Sequence, residues 1–376
     1  MICGCKTEAI SYRRAWKGPF LPSATPHINA IGTATPGHDI HKAFIDWVGA
    51  RLDNSRERGL FERMVKRSGI GHRWSVLPKT ANGGSPVAEG GFYENGMPPT
   101  SRRMAIYAEA APKLALEAIA ALPEAPDPAS ITHLVVASCT GFTAPGLDQL
   151  IAAKLGLSGS VERTLVGFMG CYGAVTALRS AWHIVRSEPE ARVLVIATEL
   201  STLHLQPGGS IDEFLSMLLF GDGAAAAIVS AEPSGLAIDR QFAATLPESG
   251  DLIQWHIGDT GFAMHLSGEV PGRIGEALGT DGFRGAVCGG ADPRTVDGWA
   301  VHAGGRSILD AVEKALGLGA EALAASRAIL AESGNMSSAT LMFVLRRLMA
   351  GPGIDNGVAI AFGPGLAAEG FGFRSA

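Results

Sequence analysis

The sequence predicts an α/β protein, and three observations point to that class. Short continuous apolar runs, such as residues 131–138 and 191–199, are typical of strands buried on both faces of a sheet. Several such runs are followed by a turn of small residues and then by apolar residues at helical spacing. With 376 residues, 47% of them hydrophobic, the chain is too long for one ordinary core and indicates two domains or a duplicated architecture.

The alternation of strands and helices can be followed along the chain. After an irregular start, the pattern predicts a helix over 101–122, in which Pro112 marks a kink or a break. The other predicted elements are strands over 131–138, 163–168, 191–199, 221–231, 296–303 and 357–365, and helices over 146–157, 174–185, 306–318 and 337–350. Because both halves repeat the order strand, turn and helix, the segment 231–236 predicts a division into 1–234 and 235–376.

The overall charge argues against a polyanionic partner. The formal net charge is −5 and the pI is about 6.1, so an anionic ligand needs a local basic patch. No apolar run reaches the roughly 20 residues of a membrane-spanning helix, and the N-terminus lacks the apolar stretch of a signal peptide. We therefore expect a cytoplasmic protein with no integral membrane segment and no nucleic-acid partner.

The five cysteines follow no regular spacing, which argues against a disulfide framework. Cys3 and Cys5 could form half of a metal site, but no second pair of cysteines or histidines at ligand spacing completes it. We therefore expect no bound metal.

Cys171 is the strongest candidate for a nucleophile. It lies in the sequence GFMGCYGAV, directly before the predicted helix over 174–185. The N–H groups and the dipole of a helix N-terminus favour a thiolate. A thiolate is the nucleophile of covalent acyl transfer and usually works with a histidine. The alternative is a small buried cysteine that fills a gap between helix and sheet.

His302 and Asn335 are candidate partners for this cysteine. His302 follows an apolar strand, so it is expected at the carboxyl end of that strand, where open α/β sheets bind ligands. Asn335 lies in a Gly-Asn-Met-Ser-Ser loop, and its amide can stabilise an enolate or oxyanion without acting as a base. Taken alone, the histidine could be a structural hydrogen-bonding residue and the asparagine a helix cap. Together the three residues suggest carbon–carbon bond formation on a thioester.

Several segments carry a resemblance to a known family: FMGCYGA, LLFGDGAAAAIV, VHAGGRSILDAVEKALGL, SGNMSSATLMFVL and AFGPGLAAE. With them the chain resembles the type III polyketide synthases, the chalcone/stilbene synthase-like branch of the thiolase superfamily. The resemblance runs from about residue 130 to the end and extends more weakly to 60–74, and SCTGFTAPGLD is closer to bacterial than to plant members. It implies a thiolase-like duplicated αβαβα fold and a homodimer with a buried active site in each subunit.

The resemblance also assigns catalytic roles by position. Cys171 would accept the starter acyl group, His302 would keep it as a thiolate, and Asn335 would join His302 in binding the thioester oxygen of malonyl-CoA. Phe220 matches an aromatic gatekeeper, whose apolar ring beside a carboxylate favours loss of CO2 by desolvation. From the residues alone, Phe220 would be assigned to the core.

For CoA, the resemblance implies binding by Arg63 and Arg67 in the RMVKR segment and by Gly304 and Ser307 after the histidine. From the residues alone, RMVKR could equally be a solvated helix face. Leu60 stands where plant members often carry a lysine for CoA, so part of that contact is lost or moved. No cofactor is expected besides the acyl-CoA and malonyl-CoA substrates.

The resemblance places eight further residues around the substrate cavity: Cys139, Ser201, His204, Trp255, Met264, Ser337, Gly363 and Pro364. Met264 replaces the usual second phenylalanine gatekeeper, and His204 and Trp255 are bulkier than the plant residues. That bulk either shrinks the plant-type pocket or redirects a long acyl chain into another tunnel. Cys139 is expected to be a wall residue rather than a second nucleophile. The expected product is an alkylpyrone or a resorcinol.

Three other functions use parts of the same pattern. A ketoacyl-acyl-carrier-protein synthase of the initiating type has the same Cys-His-Asn set but stops after one condensation and would use malonyl-carrier protein. A non-catalytic acyl-CoA-binding relative would not need all three residues. A cysteine hydrolase could use them, but the glycine-rich setting and the basic segment do not suit a peptide groove.

Overall fold

The structure is a computed structural model that describes residues 24–376. Cys3 and Cys5, considered above as half of a metal site, lie outside the described residues.

Thirteen strands and eleven α-helices are present in the described part of the chain. The strands are β1 (His27–Ala34), β2 (His38–Asp39), β3 (Trp74–Ser75), β4 (His133–Ser138), β5 (Glu162–Gly167), β6 (Val193–Leu200), β7 (Asp222–Ser230), β8 (Leu236–Thr245), β9 (Ile253–Gly258), β10 (Gly261–Leu266), β11 (Gly298–Val301), β12 (Gly357–Gly363) and β13 (Ala367–Ser375). The helices are α1 (His41–Gly49), α2 (Ser55–Ser68), α3 (Thr100–Ala120), α4 (Leu147–Leu155), α5 (Gly173–Ser187), α6 (Ile211–Met217), α7 (Val270–Gly279), α8 (Asp281–Cys288), α9 (Arg306–Leu316), α10 (Ala324–Ser333) and α11 (Thr340–Met349).

Nine strands form one mixed sheet in the order β11-β12-β13-β8-β1-β7-β6-β4-β5. The same pattern occurs on both sides of its centre. Strands β4 and β6 are parallel, whereas β6–β7 and β7–β1 are antiparallel. Likewise β11 and β12 are parallel, whereas β12–β13 and β13–β8 are antiparallel. The halves join where β1 pairs with β8, His27 opposite Ala237 and Ile28 opposite Leu236.

Helices α5 and α11 form a middle layer between the two halves of the sheet. Both belong to one apolar cluster that includes Val195 of β6 and Ala359 of β12. The opposite faces of the sheet are covered separately, by α3 and α4 on the first half and by α7, α8 and α9 on the second. Leu194 and Ile196 alternate with the inward residues of β6 and face the outer helices, as the period of a strand requires. The result is five layers in the order αβαβα.

The predicted α/β class is confirmed, and the helices and strands predicted between 101 and 231 and between 296 and 365 all occur. Helix α3 continues through Pro112. The expectation of an irregular start is wrong, because β1, α1, α2 and β3 lie within residues 27–75. Helix α2 is difficult to recognise because it is strongly charged and buries only Phe61. The proposed division at 234/235 falls between β7 and β8 and stays a prediction.

Within residues 24–376, no helix combines the length and the apolar character needed to cross a membrane.

Candidate active site

The candidate site lies at the carboxyl ends of the parallel strands of both halves. Cys171 follows β5 and Ser201 follows β6, whereas His302 follows β11 and Gly363 ends β12. Carboxyl ends of parallel strands share one edge of a sheet, which is where α/β proteins bind ligands. The two edges meet, since a Cβ added to Gly363 would lie 3.3 Å from the backbone nitrogen of Cys171.

A tight turn presents Cys171 at the start of α5. Residues Gly170–Tyr172 form one 3₁₀ turn directly before the helix. Gly170 has a φ of 69°, and a Cβ at this position would lie 2.2 Å from Cδ of Pro364. Both the backbone conformation and the contact with Pro364 therefore require glycine before the nucleophile.

Cys139 is hydrogen-bonded to the backbone of this turn. Its Sγ accepts a hydrogen bond from the N–H of Gly170 at 2.9 Å, and the side chain is 2% exposed. Desolvation raises the pKa of Cys139 well above its usual value. A buried thiol that bonds to the backbone of Gly170 supports the turn, and its role as a wall residue of the cavity stays a prediction.

Asn335 links Cys171 to the loop beside His302. Its Nδ2 lies 4.0 Å from Cys171 Sγ and donates to the carbonyl of Gly304 at 3.3 Å, whereas its Oδ1 accepts from the N–H of Ser337 at 2.8 Å. The ring of His302 packs on Gly304, where a Cβ would lie 3.2 Å from His302 Cδ2. The structure therefore brings the predicted amide next to the predicted nucleophile, and places the predicted histidine beside the same loop.

His302 is buried, and neither of its ring nitrogens has a hydrogen-bond partner among residues 24–376. Burial lowers its pKa to about 3. The imidazole is therefore neutral, with one N–H and one lone pair free for a substrate or for a proton.

Burial acts against the thiolate that the helix N-terminus is expected to favour at Cys171. Desolvation raises the pKa of Cys171 to about 12, because it outweighs the hydrogen bonds from Asn335 and Ser337. The negative charge of Glu199 acts in the same direction as burial. Without a substrate, the thiol and the imidazole of His302 are both uncharged.

Phe220 is tied to Asn335 through the backbone. The two residues form an isolated parallel β-bridge. The N–H of Gly221 donates to the carbonyl of Asn335 at 3.0 Å, and the N–H of Asn335 donates to the carbonyl of Leu219 at 2.8 Å. These two backbone hydrogen bonds fix the register between the predicted gatekeeper and the predicted amide donor.

A cavity extends from Phe220 between α1, α6 and the segment 201–206. Four of the predicted cavity residues line it: Ser201, His204, Trp255 and Met264. Its wall continues through apolar side chains, among them Ile40, Phe44, Val87, Leu205 and Met217. The other predicted cavity residues lie around Cys171 instead, where Ser337 bonds to the thiol and Pro364 packs on Gly170.

Hydrogen bonds fix the bulky wall of this cavity. His204 donates from Nε2 to the carbonyl of Thr140 at 2.7 Å and accepts the N–H of Phe262 on Nδ1 at 3.0 Å. Its ring stacks on Phe262 with 4.2 Å between centroids, and burial lowers its pKa to about 4, so it is neutral. Trp255 donates from Nε1 to the carbonyl of Cys139 at 2.9 Å. Neither side chain can turn aside without losing these bonds.

The residues predicted to bind CoA lie at two neighbouring helix ends. Arg63 and Arg67 are exposed near the C-terminus of α2, and no carboxylate within residues 24–376 forms an ion pair with either. Ser307 is exposed in the first turn of α9. A Cβ at Gly69, which caps α2, would lie 3.8 Å from Arg306 of α9, so the two ends are adjacent.

Sequence reasoning missed Glu199, which lies at the end of β6 and is fully buried. Its carboxylate accepts hydrogen bonds from the N–H of Cys139 at 3.0 Å, from Thr140 Oγ1 at 2.9 Å and from Ser338 Oγ. Burial raises its pKa to about 7. The sequence contained a signal for Glu199, because a carboxylate at the end of a continuous apolar strand departs from the apolar pattern of that strand.

No three His, Cys, Asp or Glu side chains cluster closely enough to bind a metal ion anywhere in residues 24–376.

Comparison with known proteins identifies the class. Residues 22–233 match the family model of the N-terminal domain of chalcone and stilbene synthases, and residues 238–376 match that of the C-terminal domain. With the layered fold described above, these matches define an acyltransferase of the polyketide synthase type with a thiolase-like fold. The chain belongs to the chalcone and stilbene synthase family.

Solved structures of type III polyketide synthases have the same fold. PKS-I from the brown alga Ectocarpus siliculosus is 31% identical with a TM-score of 0.84, over 95% of this chain and 100% of that one. The C-terminal type III domain of Steely1, a type I/III hybrid from Dictyostelium, is 25% identical with a TM-score of 0.82, over 93% and 99% of the two chains. A mutant of CsyB is 25% identical with a TM-score of 0.81, over 94% and 100%.

Proposed function

We propose that the protein extends an acyl-CoA starter, held as a thioester on Cys171, by iterative decarboxylative condensation with malonyl-CoA. The extended chain then closes to an alkylpyrone- or resorcinol-type product. The observation that carries the proposal is the convergence of a thiol, an amide donor 4.0 Å away on Asn335, and the unpaired imidazole of His302 at the adjoining loop. Covalent acyl transfer and enolate formation require a nucleophile, a base and a neutral donor.

His302 acts first as a base. Because Cys171 and His302 are both uncharged before substrate binds, the thiol proton passes to the imidazole as sulfur attacks the thioester carbon of the starter. The bond between that carbon and the CoA sulfur breaks, and the departing sulfur takes the proton from His302. The imidazole returns to its neutral form for the next step.

Asn335 and His302 then act as donors. The Asn335 amide and the N–H of the neutral imidazole bond to the thioester oxygen of malonyl-CoA. The bond between the carboxylate and the methylene carbon breaks, CO2 leaves, and the electron pair forms an enolate that the two donors stabilise. The apolar ring of Phe220 desolvates the carboxylate and favours its loss.

The enolate carbon attacks the acyl carbonyl on Cys171. A carbon–carbon bond forms, and the bond to Cys171 sulfur breaks. The sulfur leaves as a thiolate, which recaptures the lengthened chain from CoA without a further proton transfer. Repetition needs no carrier protein, because CoA delivers each unit.

CoA is proposed to bind at the adjacent ends of α2 and α9. Arg63 and Arg67 are exposed and have no carboxylate partner among residues 24–376, so their guanidinium groups suit the CoA phosphates. Lys66 is exposed on the same turn of the helix. Ser307 and Gly304 lie between this basic surface and Asn335, along the path that the pantetheine arm would follow.

The cavity supports an aliphatic starter. His204, Trp255 and Ser201 line the cavity together with Phe220 and Met264, and apolar side chains of α1 and α6 continue its wall. An alkyl chain gains by transfer into such a surface, at about 0.8 kcal/mol per buried methylene.

A homodimer is also proposed. Strand β5 is at the edge of the nine-stranded sheet, and no other strand of residues 24–376 pairs with its outer side. Leu165 on this strand is 44% exposed, and Phe142, in the segment between β4 and α4, is 41% exposed. An exposed edge with apolar side chains is commonly covered by another chain.

The test combines purified protein, malonyl-CoA and starters from acetyl-CoA to palmitoyl-CoA, with products identified by mass spectrometry. We expect a ladder of pyrones or resorcinols that is strongest with the longer chains. Cys171→Ala should abolish the acyl-enzyme, and His302→Ala and Asn335→Ala should lose decarboxylation. Cys288→Ala, at a buried cysteine of α8, is the matched control and should keep both activities. Acylation of Cys171 without condensation from any starter would contradict the proposal and indicate delivery by a carrier protein.

A further inference from the structure

We propose that Arg73 is a positioning residue that holds Phe220 and Asn335 in the register needed for malonyl decarboxylation. The inference rests on the proposed function, because it concerns the donor that would stabilise the enolate. Arg73 lies directly before β3 and acts through backbone contacts rather than on the reacting atoms.

The guanidinium clamps the gatekeeper segment. Its Nη1 donates to the carbonyls of Met217 and Phe220, both at 2.9 Å. Its Nε donates to Nδ1 of His41 at 3.0 Å, and its Cζ lies 4.5 Å from the ring centroid of Phe44. One side chain therefore fixes both ends of the turn that leads from α6 into Phe220.

Arg73 also contacts the opposite side of the Phe220–Asn335 bridge. The chain reaches Asn335 through Gly334, which has a φ of 66°. A Cβ at Gly334 would lie 3.0 Å from Cγ of Arg73 and 2.7 Å from the carbonyl of Leu219. The stem of Arg73 packs on one strand of the bridge while its head bonds to the other, so its loss frees the two strands to shift relative to each other.

Arg73 is a buried cation without a direct counter-ion. The side chain is 2% exposed, yet no carboxylate oxygen among residues 24–376 lies within 4.0 Å of its nitrogens, and Nη2 has no hydrogen-bond partner. Asp39 and Asp222 stabilise its charge only from further away, and burial lowers its pKa to about 9, which leaves it a cation at neutral pH. A buried cation without a direct counter-ion opposes folding, so the inference rests on the contacts of Arg73 with both sides of the bridge and not on its burial.

Arg103 provides a matched control. It is also fully buried, its Nη1 bridges the carbonyls of Leu203 and Leu205 at 2.7 and 2.9 Å, and its Nη2 is likewise unpaired. It differs in having no contact with the Phe220–Asn335 bridge. A loss of stability shared by variants of both arginines can therefore be separated from a loss of register at Asn335.

The experiment compares Arg73→Lys, Arg73→Met and Arg103→Lys with the wild type. CO2 release from malonyl-CoA reports on Asn335, and the mass of the acyl-enzyme reports on Cys171. For Arg73→Lys we expect decarboxylation to fall roughly tenfold or more, because one misplaced donor in an oxyanion site has an effect of at least that size. Acylation should fall by no more than about threefold, because Asn335 reaches the thiol only through one long contact of 4.0 Å, whereas it would bond directly to the enolate oxygen. Arg73→Met should lose more, and Arg103→Lys should lower the melting temperature without changing the ratio of the two activities.

A double-mutant cycle completes the test. Loss of one oxyanion donor leaves a residual rate of roughly one part in 100 to 1,000. On that residual CO2 release in an Asn335→Ala background, Arg73→Lys should cost less than about twofold, because the residue through which it acts is already gone. Equal losses of acylation and decarboxylation, or additive effects with Asn335→Ala, would overturn the inference. If Arg73→Met does not fold, Arg73→Lys still tests the inference.

A readout without substrate keeps the inference separate from the proposed function. The Asn335 amide lowers the pKa of Cys171. Arg73→Lys should therefore slow alkylation of Cys171 by iodoacetamide at pH 9, and should have no such effect in the Asn335→Ala background. This result would support the positioning role even if the wild type releases no CO2 from malonyl-CoA, whereas unchanged alkylation would count against it.

Discussion

The amide of Asn335 lies 4.0 Å from the thiol of Cys171, although 164 positions separate the two residues in the chain. Cys171 lies in the 3₁₀ turn that leads into α5, and Asn335 lies just before the 3₁₀ turn that leads into α11, the other helix of the middle layer. Those helices pack into the same apolar cluster between the half-sheets. The distance between nucleophile and donor is therefore set by helix packing in the core rather than by a mobile loop.

The first prediction concerns the ionisation of Cys171. Because burial raises its pKa to about 12, alkylation of the Cys171 peptide by iodoacetamide should rise roughly tenfold per pH unit from pH 7 to 9 without a plateau. A small free thiol measured in parallel should level off near its ordinary pKa of about 8.5. A plateau for Cys171 below pH 8 would mean that a preformed thiolate exists after all.

The second prediction concerns Glu199. Its negative charge raises the pKa of Cys171, so Glu199→Gln should speed alkylation of Cys171 at pH 9. Glutamine keeps one acceptor oxygen, for the N–H of Cys139 and for Thr140 Oγ1, and its amide nitrogen can donate to Ser338 Oγ, which limits structural change. Glu162→Gln, at an exposed carboxylate of β5, is the control and should leave the rate unchanged. Slower alkylation in the Glu199 variant would contradict the electrostatic argument.

The same carboxyl predicts a pH dependence of stability. The pKa of Glu199 rises from 4.5 to about 7 on folding, so the folded protein binds the extra proton and gains stability that is complete below pH 4.5 and lost as pH rises through 7. The contribution is about 3 kcal/mol at most. The melting temperature of Glu199→Gln minus that of the wild type should therefore increase between pH 4.5 and 8. A difference that stays constant or decreases over this range would contradict the raised pKa of Glu199. Asp222, with a pKa also near 7, is present in both proteins, so its effect cancels in the difference.

The turn before the nucleophile predicts a strong effect of Gly170→Ala. The positive φ alone costs roughly 1–2 kcal/mol in a residue with a Cβ, and the Cβ would also meet Pro364 at 2.2 Å. We expect a lower melting temperature and little acylation of Cys171. Gly317→Ala separates the two causes, because Gly317 has a φ of 62° with open space around it. Equal losses of stability in the two variants would show that Pro364 can move away from the added Cβ at little energetic cost.

The basic end of α2 predicts a binding defect. Replacing both Arg63 and Arg67 with alanine should raise KM for acyl-CoA roughly tenfold while kcat changes little, because contacts with the CoA phosphates are the same before and during the reaction. The defect should shrink as salt is added, since exposed charges are screened. Arg56→Ala, at an exposed position in the first turn of the same helix, should leave KM unchanged. A large fall in kcat instead would place these arginines nearer the chemistry than proposed.

Much of the fold and part of the site could be predicted from the sequence. Cys171 and His302 stand out because turns of small residues follow apolar strands, and the position of a strand end is a local property. Asn335 stands out by its Gly-Asn-Met-Ser-Ser loop, which connects α10 to α11 and follows no strand. The charge state of Cys171 could not be predicted in this way. It depends on desolvation by residues such as Gly363 and Pro364, which are close only after folding. Arg73 was overlooked for the same reason, since nothing local distinguishes a buried arginine from the exposed ones before it.

The shared middle layer also determines how the molecule comes apart. Since α5 and α11 each cover strands of both halves, neither half has a complete interior of its own. A chain divided between β7 and β8 would give two fragments with exposed apolar faces, which could recover a solvent-shielded core only by reassociating. The strand order thus shows a repeat, but the two halves can fold only together. Activity in a mixture of the two fragments would directly measure their reassembly.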